Sequence, residues 1–132
     1  MFSIVNILGI DYGERYIGLA VKTDEGIFPL DPIDSKTANR IEVLRKVVDD
    51  YNISKIVIGI PLGNEEGEKN VKNFSNLLKR ELNIDCVMYD ESMTSAFSEE
   101  KIKLYSSNSK NIKTKVHSIS AYLILKSFLN LE

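Results

Sequence analysis

Short apolar runs alternate along the chain with segments in which apolar residues recur every three or four positions. Residues 4–10, IVNILGI, are almost entirely apolar, which is typical of a strand buried on both faces. Two further runs, YIGLAVK and GIFPLDPI, are separated only by TDEG, and this spacing predicts a hairpin. Pro29 and Pro32 indicate that the third strand lies at a sheet edge or ends there.

The rest of the chain predicts helices that alternate with strands. Apolar residues keep a helical period over 37–51 and 71–82, and strands are expected at 55–61 and 84–89. The stretch LGNEEGEKN is interpreted as a loop. A helix is expected over about 94–105, then a polar loop SSNSKNIK, then an apolar helix over about 114–129. This order predicts an α/β fold, with a mixed five-stranded sheet and helices on both faces, in a single domain over 1–132.

Composition supports one compact core and gives no sign of a membrane protein. With 132 residues and 43% hydrophobic content, the chain can bury one proper core. It lacks both the run of about 18 apolar residues that a membrane span needs and the layout of a signal peptide. We therefore expect a cytoplasmic protein without membrane contact. Cys86 is the only cysteine, so no intrachain disulfide can form.

The distribution of charge is more informative than its sum. The chain carries 17 basic and 19 acidic residues, a formal net charge of −2. Between Ser92 and Lys126, however, six lysines face only Glu99 and Glu100, a local balance of +4. This run suits either a solvated face or contacts with nucleic-acid phosphates, and the sequence alone leaves both interpretations open.

Three acidic residues stand where predicted strands end. Asp11 ends the first run, and Asp90 and Glu91 end the fifth. An ionised carboxylate at the edge of a core is costly unless a positive group meets it, and ligands gather at the carboxyl ends of parallel strands. The only histidine, His117, is expected in the first turn of the last helix, where it could face the same cleft. These residues predict a site rather than a structural role. We expect Asp11 and Glu91 to lie at neighbouring strand ends, with their carboxylates close enough to share a metal ion or its water.

Four segments carry a resemblance to a known family: ILGIDYGERYIGLAV, IVIGIPLG, YDESMTSAF and KVHSISAYLILKSFL. Together, and in this order, they resemble the YqgF family of bacterial Holliday-junction-resolvase-like proteins. The resemblance implies a ribonuclease H-like fold. It also implies a nuclease that acts on structured RNA and matures the 5′ end of the small-subunit (16S) ribosomal RNA precursor.

The resemblance assigns roles to individual residues. It implies that Asp11 is the first catalytic aspartate and that Asp90 and Glu91 are the acidic pair of the third motif. His117 stands where the family usually has its last aspartate, and Ser92 and Ser120 replace a family arginine and alanine. The implied cofactor is Mg²⁺ or Mn²⁺, held by Asp11, Glu91 and His117. A histidine ligand favours Mn²⁺.

The predicted partner is nucleic acid, either structured RNA or branched DNA. Gly13 and Gly18 are expected to let the backbone turn tightly beside the ligand. Phosphates would be bound, without sequence preference, by Arg15, Lys101, Lys103, Lys110, Lys113 and Lys115. Ribosomal precursor particles are a further expected partner, and we expect a monomer or a weak homodimer.

Three alternatives remain open at this point. The spacing of Gly9, Asp11, Gly13 and Gly18 also resembles the phosphate loop of the actin and sugar-kinase superfamily. That function needs two lobes, which 132 residues supply only through dimerisation. The chain could also be a Holliday junction resolvase. Because the last family aspartate is His117, a catalytically impaired module for nucleic-acid binding or ribosome assembly is the third alternative.

Overall fold

Five strands form one mixed sheet in the computed structural model, which describes residues 5–92 and 116–130. In chain order the strands are β1 (Asn6–Tyr12), β2 (Tyr16–Thr23), β3 (Gly26–Asp34), β4 (Ile53–Ile60) and β5 (Asp85–Asp90). Their order across the sheet is β3-β2-β1-β4-β5. The first three pair antiparallel, and β4 runs parallel to both β1 and β5. The predicted mixed five-stranded sheet is confirmed.

Helices cover both faces of this sheet. They are α1 (Arg40–Asp50), α2 (Glu65–Leu82) and α3 (Ile119–Asn130), and a 3₁₀ turn, Val116–Ser118, precedes α3. The helix predicted over 94–105 and the loop SSNSKNIK lie outside the described residues. Within the part of the chain that the structure describes, no helix combines the length and the apolar character needed to cross a membrane.

The alternation of side chains along the strands builds a core on each face of the sheet. Leu8 and Ile10 of β1 point to one side, where Leu44 of α1 and Leu78 of α2 cover them. Ile7 points to the other side, where the cover comes from α3 through Ala121, Ile124 and Leu125. Because α3 is the element on the second face, it decides what surrounds the residues that point to that side.

The sequence placed the start of two helices wrongly. α2 begins at Glu65, so most of the stretch interpreted as a loop is helical. Asn64 caps it, since its side-chain oxygen accepts a hydrogen bond from the Gly67 N–H at 3.0 Å. Its first turn carries three glutamates, which the positive end of the helix dipole favours. In the last segment the 3₁₀ turn comes first, so His117 precedes α3 instead of lying in its first turn.

The third strand lies at the edge of the sheet, as its prolines predicted. β3 pairs only with β2 among the described strands, and Pro29 lies within the pairing, opposite Ala20. An edge strand has one row of N–H groups that no neighbour uses, so a proline can be accommodated there.

Candidate functional site

Asp11 and Glu91 converge on the face of the sheet that α3 covers. Asp11 is the penultimate residue of β1, and Glu91 is the first residue after β5. The two strands are not neighbours, because β4 lies between them. The expectation of neighbouring strand ends is therefore wrong, although the two side chains do meet: a hydrogen bond joins them.

Gly59 of β4 makes this meeting possible. It lies at the intervening strand, where a Cβ atom would come within 2.8 Å of Glu91 Cγ and 2.5 Å of Ile124 Cδ1. Real Cβ atoms do not approach other heavy atoms so closely, so any side chain here would displace one of the two. Because Gly59 has no side chain, the Glu91 side chain can pass over the backbone of β4 to reach Asp11.

The environment of Glu91 disfavours its charged form. Four causes together raise the pKa of Glu91 to about 7. In order of size they are burial, the neighbouring Asp11 charge, the hydrogen bond that protonated Glu91 donates to Asp11, and the Asp90 charge. Two carboxylates that share one proton have a surplus of negative potential. A cation bound between them would remove this cost.

The surroundings of the pair fit a hard divalent cation. Asp11, Glu91, Ser120 and Ile124 line a cavity of about 170 Å³. Carboxylate and hydroxyl oxygens are hard donors, and Mg²⁺ is usually held by one or two carboxylates, with water and substrate phosphate completing its shell. Two converging carboxylates beside an open cavity match that pattern.

His117 is not grouped with the two carboxylates. Within residues 5–92 and 116–130, no three histidine, cysteine, aspartate or glutamate side chains form a group that could hold a metal ion. The His117 ring instead stacks on Tyr16, with ring centroids 4.0 Å apart and planes inclined by 17°. Its assignment as a third metal ligand stays a prediction.

Asp90 acts on the pair as a neighbouring charge. Side chains of β5 alternate between faces, so Asp90 is on the face of Cys86, which α1 and α2 cover, whereas Glu91 lies near Ile124 on the face that α3 covers. Its Oδ1 accepts a hydrogen bond from the Ser92 N–H at 3.0 Å, which fixes the turn after β5. Its assignment as a catalytic residue stays a prediction.

The predicted phosphate-binding residues divide into two groups. Arg15 is exposed at the turn between β1 and β2, with its guanidinium carbon 5.3 Å from the centre of the Tyr16 ring. The other predicted residues lie outside the described part of the chain: Lys101, Lys103, Lys110, Lys113 and Lys115.

The two glycines have different roles. Gly13 is in the predicted turn, where its N–H donates to the Tyr16 carbonyl at 3.0 Å. A turn at Gly18 was wrongly predicted, because Gly18 lies inside β2 and pairs with Asp11. The close approach that Gly18 permits is to the backbone of the 3₁₀ turn, since a Cβ would collide with the His117 carbonyl oxygen.

Sequence reasoning missed four residues that shape the site: Gly59, Ser118, Ser120 and Tyr16. Ser118 is fully buried, and its Oγ accepts a hydrogen bond from the Leu19 N–H at 3.0 Å. A glycine inside the apolar run IVIGIP and two serines at the start of an apolar helix were available signals. Nothing in the sequence connects Tyr16 with His117.

Comparisons with known proteins agree on one family. A family model described as "RuvX: Holliday junction resolvase" matches residues 5–131. A protein of Sulfurihydrogenibium sp. (strain YO3AOP1) named "Putative pre-16S rRNA nuclease" is 40% identical, with 94% of this chain and 89% of that protein covered. A protein of Orientia tsutsugamushi (strain Ikeda) with the same name is 34% identical, with 93% and 82% covered.

Solved structures of resolvases share the fold. RuvC of T. thermophilus, solved with a Holliday junction substrate, superposes with a TM-score of 0.61 at 13% identity, and 96% of each chain is covered. The fowlpox virus Holliday junction resolvase superposes with a TM-score of 0.52 at 10% identity, covering 97% of this chain and all of that one. At these identities the likeness concerns the fold, and it confirms the predicted ribonuclease H-like class.

Proposed function

The chain belongs to the RuvX family of Holliday-junction-resolvase-like nucleases, and we propose that it hydrolyses phosphodiester bonds in structured RNA with the help of a divalent metal ion. Relatives at 40% and 34% identity are named as nucleases of the 16S ribosomal RNA precursor. The proposed biological role is therefore maturation of the 5′ end of that precursor. The observation that carries the proposal is the Asp11–Glu91 pair beside an open cavity.

The two carboxylates have one task in this proposal, which is to hold Mg²⁺ or Mn²⁺ at the carboxyl end of β1. When bound, the cation polarises the scissile phosphate and lowers the pKa of the attacking water. Asp11 is held firmly for this task, because the β1–β2 pairing fixes its backbone opposite Gly18. Glu91 follows β5 directly, and the missing side chain of Gly59 leaves the space that the Glu91 side chain occupies.

The remaining residues of the site position the substrate. Ser120 lines the same cavity as the two carboxylates, and its hydroxyl can donate a hydrogen bond to a phosphate oxygen. Arg15, exposed at the adjacent turn, supplies positive charge for a neighbouring phosphate. With Ser120 and Arg15 assigned to the substrate, Asp11 and Glu91 are the described residues proposed to bind the metal ion.

Cleavage of a four-way DNA junction is the second candidate function. The description of the matching family model favours it, because that description names a Holliday junction resolvase. Both functions would use the same carboxylates and the same cation, so they differ only in the substrate.

We propose that the protein acts in the cytoplasm as a single domain, as a monomer or a weak homodimer, on ribosomal precursor particles.

The test is a cleavage assay with two substrates, an RNA that contains the 5′ precursor region of 16S ribosomal RNA and a four-way DNA junction. Each is incubated with Mg²⁺, Mn²⁺ or a chelator. We expect metal-dependent cleavage of the RNA, and its loss in the Asp11→Asn and Glu91→Gln variants. Asp85→Asn, which removes an exposed carboxylate at the opposite end of β5, is the matched control and should cleave normally. If neither substrate is cut with either metal, the nuclease proposal is wrong.

A further inference from the structure

Three side chains at the rim of the site form a stack whose purpose the metal chemistry does not explain. The rings of Tyr16 and His117 are 4.0 Å apart and inclined by only 17°. The Arg15 guanidinium lies over the same tyrosine ring, 5.3 Å from its centre. His117 and Arg15 are exposed, whereas Tyr16 is partly buried. The stack therefore presents an aromatic ring and a cation to solvent.

The backbone holds the stack rigidly in place. The 3₁₀ turn that carries His117 rests on β2, because Gly18 has no side chain to keep it away. Next along the turn, buried Ser118 accepts the hydrogen bond of the Leu19 N–H. That N–H lies at the point where the register between β2 and β3 shifts. The His117 ring is thus preorganised, so a ligand that stacks on it pays little ordering entropy.

The stack and the carboxylate pair share one face of the sheet. Asp11 is paired with Gly18, and Tyr16 lies two residues before Gly18 on the same strand, so its side chain points to the same side. Diagonal neighbours of this kind lie roughly 7–8 Å apart. A nucleotide next to the phosphate held at Asp11 can therefore reach the stack.

The chemistry of the stack fits an unpaired base and its phosphate. A base in a continuous duplex already stacks on both faces, whereas a base in a loop or at a junction offers a free face to aromatic side chains and guanidinium groups. Arg15 adds the positive charge that the attached phosphate needs. The acidic pair beside it repels polyanions when metal-free, so a favourable contact outside the pair is required to hold the strand.

We infer that Arg15, Tyr16 and His117 form a stacking platform that binds an unpaired base adjacent to the scissile phosphate, and so direct the enzyme to loops, single strands and junctions. This inference rests on the proposed function for the identity of the phosphate. It gives His117 a role that needs its flat ring and no metal.

The test compares His117→Ala with His117→Phe, which keeps a flat ring but cannot bind metal. Both are made in the Asp11→Asn background, so that binding can be measured without cleavage. The dissociation constants of a stem-loop RNA and a fully paired RNA of the same length are measured by fluorescence anisotropy. We expect about tenfold weaker binding of the stem-loop by His117→Ala, a retained affinity for His117→Phe, and an unchanged affinity of both variants for the duplex.

A spectroscopic readout separates stacking from a general loss of structure. The fluorescence of 2-aminopurine, placed at each loop position in turn, should be quenched at one position by the parent protein and by His117→Phe, but not by His117→Ala. Arg15→Ala should weaken stem-loop binding, and its matched control Arg80→Ala, an exposed arginine near the C-terminal end of α2, should not.

Two results would overturn the inference: equal affinities of His117→Ala and the parent for the stem-loop, or equal weakening by His117→Ala and His117→Phe. Because these experiments measure binding in a cleavage-silent background, they remain decisive whether or not the parent enzyme cuts RNA. Failure of the nuclease proposal would appear separately, as absence of cleavage by the protein with intact Asp11.

Discussion

At the scale of single residues, the close placement of the Asp11 and Glu91 carboxyl groups lowers the stability of the folded protein. Burial and the nearby Asp11 charge hold the pKa of Glu91 at about 7, so ionising it is harder in the folded chain than in the unfolded one. Functional sites often keep such a cost because the ligand relieves it. The cost makes a prediction that does not depend on any activity assay.

The metal-free protein should lose stability as pH rises between about 4.5 and 7. The raised pKa means that the folded state holds a proton that the unfolded state releases near pH 4.5. The contribution of Glu91 to stability is therefore greatest below that pH and falls until Glu91 ionises in the folded state. Glu91→Gln should remove most of the pH dependence of stability between about pH 4.5 and 7. At pH values above 7 this variant should have a higher melting temperature than the unmodified protein. Melting temperatures in chelator across this pH range provide the measurement.

Glu81→Gln is the control for this experiment, because Glu81 is exposed at the end of α2. It should keep the slope of the unmodified protein. If Glu91→Gln and Glu81→Gln follow the same pH dependence, the unfavourable environment of Glu91 does not exist in solution. Added Mg²⁺ should stabilise the protein with Glu91 more than the Glu91→Gln variant, because only the former offers both carboxylates.

At the scale of elements, the 3₁₀ turn Val116–Ser118 joins two distant parts of the chain. Ser118 and Leu19 are 99 positions apart, yet the Ser118 hydroxyl supplies the acceptor that the Leu19 N–H lacks in the sheet. The same turn carries His117 onto Tyr16. The buried hydrogen bond between Ser118 and Leu19 therefore helps to hold the start of α3 against β2. It also supports the stacking of His117 on Tyr16 beside the site.

Ser118→Ala should destabilise the protein by roughly 1–3 kcal/mol, because it leaves a buried N–H without an acceptor. Urea unfolding provides the measurement, and Ser54→Ala, at an exposed position of β4, should change the free energy of unfolding by less than about 0.5 kcal/mol. We also expect weaker stem-loop RNA binding by Ser118→Ala, since the His117 ring loses its support. An unfolding midpoint equal to that of Ser54→Ala would contradict the role assigned to this hydrogen bond.

The elements also show why some features could be predicted from the sequence and others could not. Continuous apolar runs identify β1 and β4, because both faces of these strands are covered. The start of α2 was missed because its first turn is polar and is stabilised by a cap and by charge, not by an apolar period. Helical periodicity does not detect such a turn.

The candidate site divides in the same way. The motifs identified Asp11 and Glu91, because carboxylates at strand ends are visible in the sequence. The reach of Glu91 across β4 depends on Gly59, and the stacking of His117 depends on Gly18 and Ser118. These contacts depend on how distant elements pack on the sheet, which apolar periodicity and the spacing of motifs do not specify.

At the scale of the whole molecule, an acidic site must bind a polyanion on a chain whose net charge is −2. The bound cation would offset the repulsion between the acidic site and the nucleic acid only at the scissile phosphate. Phosphates farther along the strand need other positive groups, and the sequence concentrates lysines between Ser92 and Lys126. All of these lysines except Lys126 of α3 lie outside the described residues, so their role is best tested through the salt dependence of binding.

Replacing Lys110, Lys113 and Lys115 together with alanine should weaken RNA binding to a similar extent for all sequences. It should also reduce the slope of log K against log salt concentration by up to about one unit for each phosphate that the variant no longer binds. A matched triple variant, Lys46→Ala, Lys72→Ala and Lys79→Ala, removes the same charge from α1 and α2. If the two triple variants show equal slopes, net charge alone governs the salt dependence, and the lysines after Ser92 are a solvated face. A smaller slope in the first variant alone identifies them as groups that hold the strand along its path to Asp11 and Glu91.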